Sequence, residues 1–200
     1  MKPIFEFVVK PLGNRYNNSV EVGDKSLILN TEVFNHQYVN REATIVSTPI
    51  YNPKGLKEGD IVILHHNVFR RWHNVKGIEK NSRSFLNEDE YLVSEDQMFM
   101  YKRDGQWVAM PGFTFVKPIK SQNNYDLTPE KPLVGIVKYS DGAFLPTQLV
   151  GFRPNSEYEF IIDGERLYRV MNSFITIEYE YKGDEEEYNP SWAESCRRVN

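Results

Sequence analysis

The stretch Phe5-Glu6-Phe7-Val8-Val9-Lys10-Pro11-Leu12 returns, one residue shorter, as Phe113-Thr114-Phe115-Val116-Lys117-Pro118-Ile119. Aromatic and β-branched residues with a period of two, ended in the first copy by Pro11, read as a β-strand and not as a helix. The echo continues. Ala43-Thr44-Ile45-Val46 is answered by Val134-Gly135-Ile136-Val137. Tyr91-Leu92-Val93, with Met98-Phe99-Met100 after it, is answered by Tyr168-Arg169-Val170, with Ile175-Thr176-Ile177 at the same spacing. Three pairings in one order predict an internal duplication with its junction near Pro111-Gly112. The second copy is the shorter, lacking material that corresponds to residues 13–42 and 73–88.

Outward from these segments the chain keeps the same character. Asp60-Ile61-Val62-Ile63-Leu64 follows the turn-like Lys57-Glu58-Gly59, and further strands are expected at 106–110, 158–162 and 174–181. Arg103-Asp104-Gly105 and Ile162-Asp163-Gly164-Glu165 read as hairpin turns, because Asp-Gly tolerates the positive φ that a tight hairpin needs. No segment of a dozen residues keeps a helical stripe. The expected fold is all-β, two small barrels in tandem with the second shortened: residues 1–111, residues 112–182, and an acidic and polar tail at 183–200. Residues 13–26 are rich in Asn and Gly and read as a loop. The run Asp184-Glu185-Glu186-Glu187 that opens the tail reads as solvated.

Composition narrows the function. Of 200 residues 40% are apolar, 26% charged and 14% aromatic, enough to bury a core. A net charge of −4 argues against a general nucleic-acid binder. The single Cys196 forms no internal disulfide and no cysteine zinc site. No apolar stretch approaches the roughly 20 residues that span a bilayer. Pro3 and Glu6 interrupt the apolar run a signal peptide needs, so a soluble cytoplasmic protein is expected.

Chemistry is hard to find. His65 and His66 are adjacent and would face opposite sides of a strand, and His73 has no Cys or acidic residue at ligand spacing, so no metal is expected. Gly-x-Ser-x-Gly, the P-loop and Gly-x-Gly-x-x-Gly are absent. Cys196 has no evident base partner. Arg70-Arg71-Trp72 could stack on a base or bind a phosphate, but reads more simply as a solvated strand end. Asn17-Asn18-Ser19 is a glycosylation sequon that matters only in a secreted protein. The expectation is a protein that is not an enzyme and holds no cofactor.

The order of the segments resembles the GroES-type co-chaperonin (chaperonin-10) family. Lys2-Pro3-Ile4 with Phe7-Val8-Val9-Lys10 looks like that family's opening strand. Leu27-Ile28-Leu29, in a polar stretch at 13–31, sits where the family carries an Ile-Val-Leu tripeptide on a mobile loop. Glu42-Ala43-Thr44-Ile45-Val46 is similar to the strand after it. Lys57-Glu58-Gly59-Asp60-Ile61-Val62-Ile63 is similar to the family's Lys-Val-Gly-Asp-Ile-Val-Ile segment. Glu90-Tyr91-Leu92-Val93-Ser94-Glu95-Asp96 resembles its last strands. The likeness spans roughly residues 2–102, and the second copy more weakly. Three departures stand out. Only residues 50–54 join Pro49 to Gly55, so the family's roof hairpin is missing or reduced, as in some phage-encoded members. Lys25-Ser26 replaces the usual Gly-Gly, and the chain is twice an ordinary member's length. A diverged, phage-like, duplicated member fits all three.

The resemblance implies a co-chaperonin that caps a GroEL-type chaperonin through Ser26, Leu27, Ile28 and Leu29 and assists protein folding, as a homo-oligomeric, heptameric ring with no membrane or nucleic-acid partner. Each fully buried aliphatic side chain yields about 1.5–3 kcal/mol, against several kcal/mol spent ordering the loop. One loop then binds weakly, and a ring makes the later contacts intramolecular, adding on the order of 10²–10⁴ in affinity. Other readings stay open. Leu27-Ile28-Leu29 could be a short core strand. The duplicated modules could build a virus-derived structural or assembly protein with no chaperonin contact. A small-ligand or nucleic-acid-binding barrel would be favoured only by Phe69, Trp72 and Tyr101 exposed on one face.

Overall fold

The structure, a computed structural model, describes residues 2–16, 19–22, 25–28, 38–122, 129–181 and 183–194. The chain divides into two units, residues 1–106 and 107–200. The first holds β1 (Phe7–Pro11), β2 (Ser19–Val22), β3 (Lys25–Ile28), β4 (Glu42–Ser47), β5 (Ile61–Leu64), β6 (Arg71–His73), β7 (Glu79–Asn81), β8 (Phe85–Asn87), β9 (Glu90–Val93) and β10 (Met98–Arg103). Strand β11 (Gln106–Ala109) spans the division. The second unit holds β12 (Phe113–Lys120), β13 (Glu130–Ser140), β14 (Leu149–Phe152), β15 (Tyr158–Ile162), β16 (Glu165–Met171), β17 (Ile175–Tyr179) and the single-turn helix α1 (Ser191–Glu194).

The fold is all-β. One sheet runs β11-β10-β5-β4-β1-β9-β8 and the other β15-β16-β12-β13-β14-β17. Strands β2 and β3 form a separate two-stranded ribbon, as do β6 and β7. Both large sheets are open, which corrects the expectation of closed barrels. Closure requires the two edge strands to pair, and here β8 and β11, like β15 and β17, remain edges. Both expected hairpin turns are present, with φ of 51° and 80° at Asp104 and Gly105 and of 50° and 80° at Asp163 and Gly164.

Written from the other end, the second sheet is β17-β14-β13-β12-β16-β15, and it matches β10-β5-β4-β1-β9-β8 strand for strand. The register matches too. In the first unit Val9 lies opposite Ile45 on one side and Tyr91 on the other. In the second, Val116 lies opposite Val137 and Tyr168. An irregularity falls between Val8 and Val9 in one copy and between Phe115 and Val116 in the other. A 3-10 turn, Glu95–Gln97 or Asn172–Phe174, follows β9 or β16. His65 N–H donates to Gln97 O at 2.9 Å as Arg153 N–H donates to Phe174 O at 3.0 Å.

This register shifts the sequence alignment slightly. Lys10 and Pro11 coincide with Lys117 and Pro118, but Phe7 coincides with Thr114, not Phe115, and Ala43 with Gly135, not Val134. The packing explains why the alternation survives in both copies. Val9, Ile45, Val62 and Val93 are buried, and so are their counterparts Val116, Val137, Val150 and Val170. The same four positions build both cores, each contributing about 1.5–3 kcal/mol of burial.

The charge run stays mostly exposed, as expected, but the tail that carries it is ordered along β12. Lys120 N–H donates to Glu186 O at 2.7 Å and Tyr188 N–H to Pro118 O at 2.8 Å. Glu185, Glu186 and Glu187 pair with Lys131, Lys120 and Lys117 at 3.1, 3.1 and 2.5 Å. Three of the four carboxylates in the run thus pair with lysines far upstream. Beyond it, Ala193 is buried and the Arg166 guanidinium lies over the Trp192 ring at 5.8 Å.

Candidate functional site

A module that occurs twice invites the question of where the copies differ. Between β1 and β4 the first unit has residues 12–41, where the second has only 121–129 between β12 and β13. Between β5 and β8 it has residues 65–84, where the second has only 153–157 between β14 and β15. Each insertion carries one of the two ribbons.

The insertions are bolted together at their roots. Arg15, at the base of the first, donates from Nε to Phe69 O at 2.6 Å and from its terminal nitrogens to Asn81 Oδ1 at 2.7 Å and Arg70 O at 3.4 Å, all in the second. Its guanidinium lies 5.3 Å from the centre of the Tyr91 ring. Burial pushes the Arg15 pKa down and the Tyr91 pKa up. Tyr16 Oη accepts the Arg71 N–H at 2.8 Å, and Arg71 covers the Tyr16 ring at 5.0 Å. On the returning side Val39 bridges Tyr16, and Asn40 donates from Nδ2 to Leu12 O at 2.9 Å and Asn14 O at 2.8 Å. A buried asparagine that satisfies two carbonyls closes the neck of the insertion.

Above this neck Val22 pairs with Lys25, Glu21 with Ser26, Val20 with Leu27 and Ser19 with Ile28. Ser26, Leu27 and Ile28 thus stand on β3 of a ribbon separate from the seven-stranded sheet, within a stretch that reads as loop from sequence. Leu29 lies outside the described residues, as does Cys196.

The remaining sequence candidates scatter. His65 and His66 lie beyond the end of β5, where strand alternation no longer separates them, and their rings stack at 4.3 Å. Among the described residues no group of three or more His, Cys, Asp or Glu could hold a metal ion. Phe69 is wholly buried against Tyr91, so it shares no exposed face with Trp72. The Gly59-Asp60 turn is structural. Asp60 accepts the Lys57 N–H at 2.8 Å and two bonds from Arg103, at 2.5 and 3.3 Å. Burial raises the Asp60 pKa, but the Arg103 and Lys57 hydrogen bonds outweigh it and hold the carboxyl below its ordinary value. No helix among the described residues is long and apolar enough to cross a membrane.

Sequence reasoning missed Arg15, Tyr16 and Asn40. Little in the local sequence marks them, because the partners that tie the neck together lie 23 to 66 residues away. No protein-family model and no curated protein matches the chain.

Proposed function

We propose that this chain is a co-chaperonin subunit: two GroES-like modules in tandem that cap a GroEL-type chaperonin, with Ser26, Leu27, Ile28 and Leu29 as the contact. One observation carries the reading. The ribbon bearing Ser26, Leu27 and Ile28 is one of two additions to a six-stranded framework that repeats, and it stands outside the main sheet on a polar neck. An element built only to complete a core would be expected in both copies. The order of five sequence segments points the same way.

An apolar patch supports assembly. Ile50 N–H donates to Pro3 O and Tyr51 N–H to Ile4 O, which sets Ile4, Phe5, Ile50 and Tyr51 side by side, each at least 60% exposed. A neighbouring copy would bury such a face in a ring. ATP chemistry would belong to the chaperonin partner, and the lid itself would do none.

The test replaces Leu27, Ile28 and Leu29 together by Ser and measures co-purification with a GroEL-type chaperonin and ATP. Loss of association with an unchanged melting temperature is expected. A variant that unfolds makes the three residues core, and one that binds as before removes them from the contact.

A further inference from the structure

The second insertion also shapes a cavity of about 630 Å³, lined by Asn67, Arg70, Trp72, Ser82, Arg83, Ser84 and Gln97. Its volume lies within the range of about 300–1,000 Å³ usual for small-molecule sites. In a chain of net charge −4 its lining is unusual, for it holds two arginines and no carboxylate. Arg71, between Arg70 and Trp72, is spoken for by Glu79 at 3.1 Å. Arg70 and Arg83 are not. Neither has an acceptor for its guanidinium among the described residues, and the Arg70 Nε is fully shielded from solvent without a hydrogen-bond partner. Arg71 Nε is shielded and unpaired in the same way, so what sets Arg70 and Arg83 apart is that no described carboxylate pairs with them, which leaves their charge for something anionic.

The remaining lining says what that something is. Trp72 is 46% exposed, no other ring among the described residues meets it, and its indole N–H is tied to Asn81 O at 3.3 Å. Gln97 accepts from Ser94 through Oε1, its Nε2 has no acceptor among the described residues, and Asn67 brings a second amide to the lining. Guanidiniums match phosphate oxygens with paired donors, an indole face stacks on a flat base, and amides read a base edge. We infer that this cavity binds a nucleotide unit, its phosphate on Arg70 and Arg83 and its base against Trp72. The second unit, with only residues 153–157 in place of the insertion, has no counterpart. The inference does not rest on chaperonin binding and survives or fails separately.

The experiment is fluorescence anisotropy of N-methylanthraniloyl-AMP titrated with the full-length protein, then displaced by AMP, adenosine, inorganic phosphate or a twelve-residue oligothymidylate. Submillimolar binding is expected, with AMP displacing the probe far better than adenosine or phosphate does. Arg83→Gln, at an exposed residue with no partner among the described residues, should weaken binding by about tenfold or more. Trp72→Phe should weaken it severalfold, and both variants should keep the wild-type melting temperature. Tighter displacement by the oligothymidylate than by AMP assigns the unit to a single strand; the reverse assigns it to a free nucleotide. Displacement by phosphate as good as by AMP, wild-type affinity in Arg83→Gln, or no binding at millimolar protein would overturn the inference.

Discussion

Thr147 holds in the second unit the backbone conformation that Gly59 holds in the first. Their φ angles are 75° and 92°, and each donates its N–H at 2.8 Å across the turn, to Val137 O and to Ile45 O. The next residue completes the correspondence. Asp60 accepts from Lys57 N–H, and Gln148 accepts from Leu145 N–H at 2.7 Å. One turn geometry thus persists over two different sequences.

A β-branched residue at positive φ is strained, by roughly 1–2 kcal/mol. Thr147→Gly should therefore stabilise the protein by about 1 kcal/mol, less the backbone entropy that glycine adds in the unfolded chain. Gly59→Thr should destabilise it by a similar amount through backbone strain, since a Cβ at Gly59 meets nothing within 4 Å. Chemical denaturation of both variants checks the pair, and equal signs would refute the equivalence.

Asp60 and Arg103 give a pH signature. The carboxyl's folded pKa lies below its ordinary 3.8, so the folded state binds fewer protons than the unfolded state near that pH. The stabilisation is present above the ordinary value and disappears as pH falls through the lowered one. Asp60→Asn should cost about 1–3 kcal/mol at pH 7 and flatten the decline of stability below pH 4. Urea melts from pH 2 to 7 would show the two profiles converging in acid.

Lys117 and Lys10 occupy one position in the two modules and differ in surroundings. Lys117 is buried between Glu165 at 3.4 Å and Glu187 at 2.5 Å, whereas Lys10 is exposed. Burial lowers the Lys117 pKa, but the bond to Glu187 and the charge of Glu165 outweigh it, leaving it above 10.5. Its contribution is complete at neutral pH and is lost as pH rises through that raised value. Lys117→Met should cost about 1–3 kcal/mol and Lys10→Met under about 0.5, as thermal unfolding at pH 7 would report.

Arg15 ties the two insertions directly. Arg15→Ala removes three hydrogen bonds and should cost about 2–3 kcal/mol locally. Hydrogen exchange should show lost protection at the β2–β3 and β6–β7 amides, with the second unit unchanged. Uniform loss across both units would contradict a local clamp.

Much of the framework could be read from the residues, because it depends on short-range rules. The alternation at Phe7–Pro11 and Ile61–Leu64, the Asp104-Gly105 and Asp163-Gly164 turns and the order of repeated segments are all local signals. The one-residue slip of the repeat has a clear source. Phe5-x-Phe7 invites superposition on Phe113-x-Phe115, whereas the ladder opposes Val9 to Tyr91 and Val116 to Tyr168. Polar strands such as β6 and β7 lack the apolar alternation that reveals a strand. The ordered tail was hidden because its lysines precede it by 54 to 70 residues. The neck around Arg15 was invisible for the same reason, and with it the distinction between a loose loop and a ribbon on a rigid base.

The proposed function requires the ribbon of the first unit to dock on a chaperonin. Native mass measurement of the full-length protein mixed with a GroEL-type chaperonin and ATP tests it most directly. A closed ring of this chain on the chaperonin is expected, absent for the Leu27→Ser, Ile28→Ser, Leu29→Ser variant. A wild-type chain that stays off the chaperonin at every nucleotide condition would contradict it.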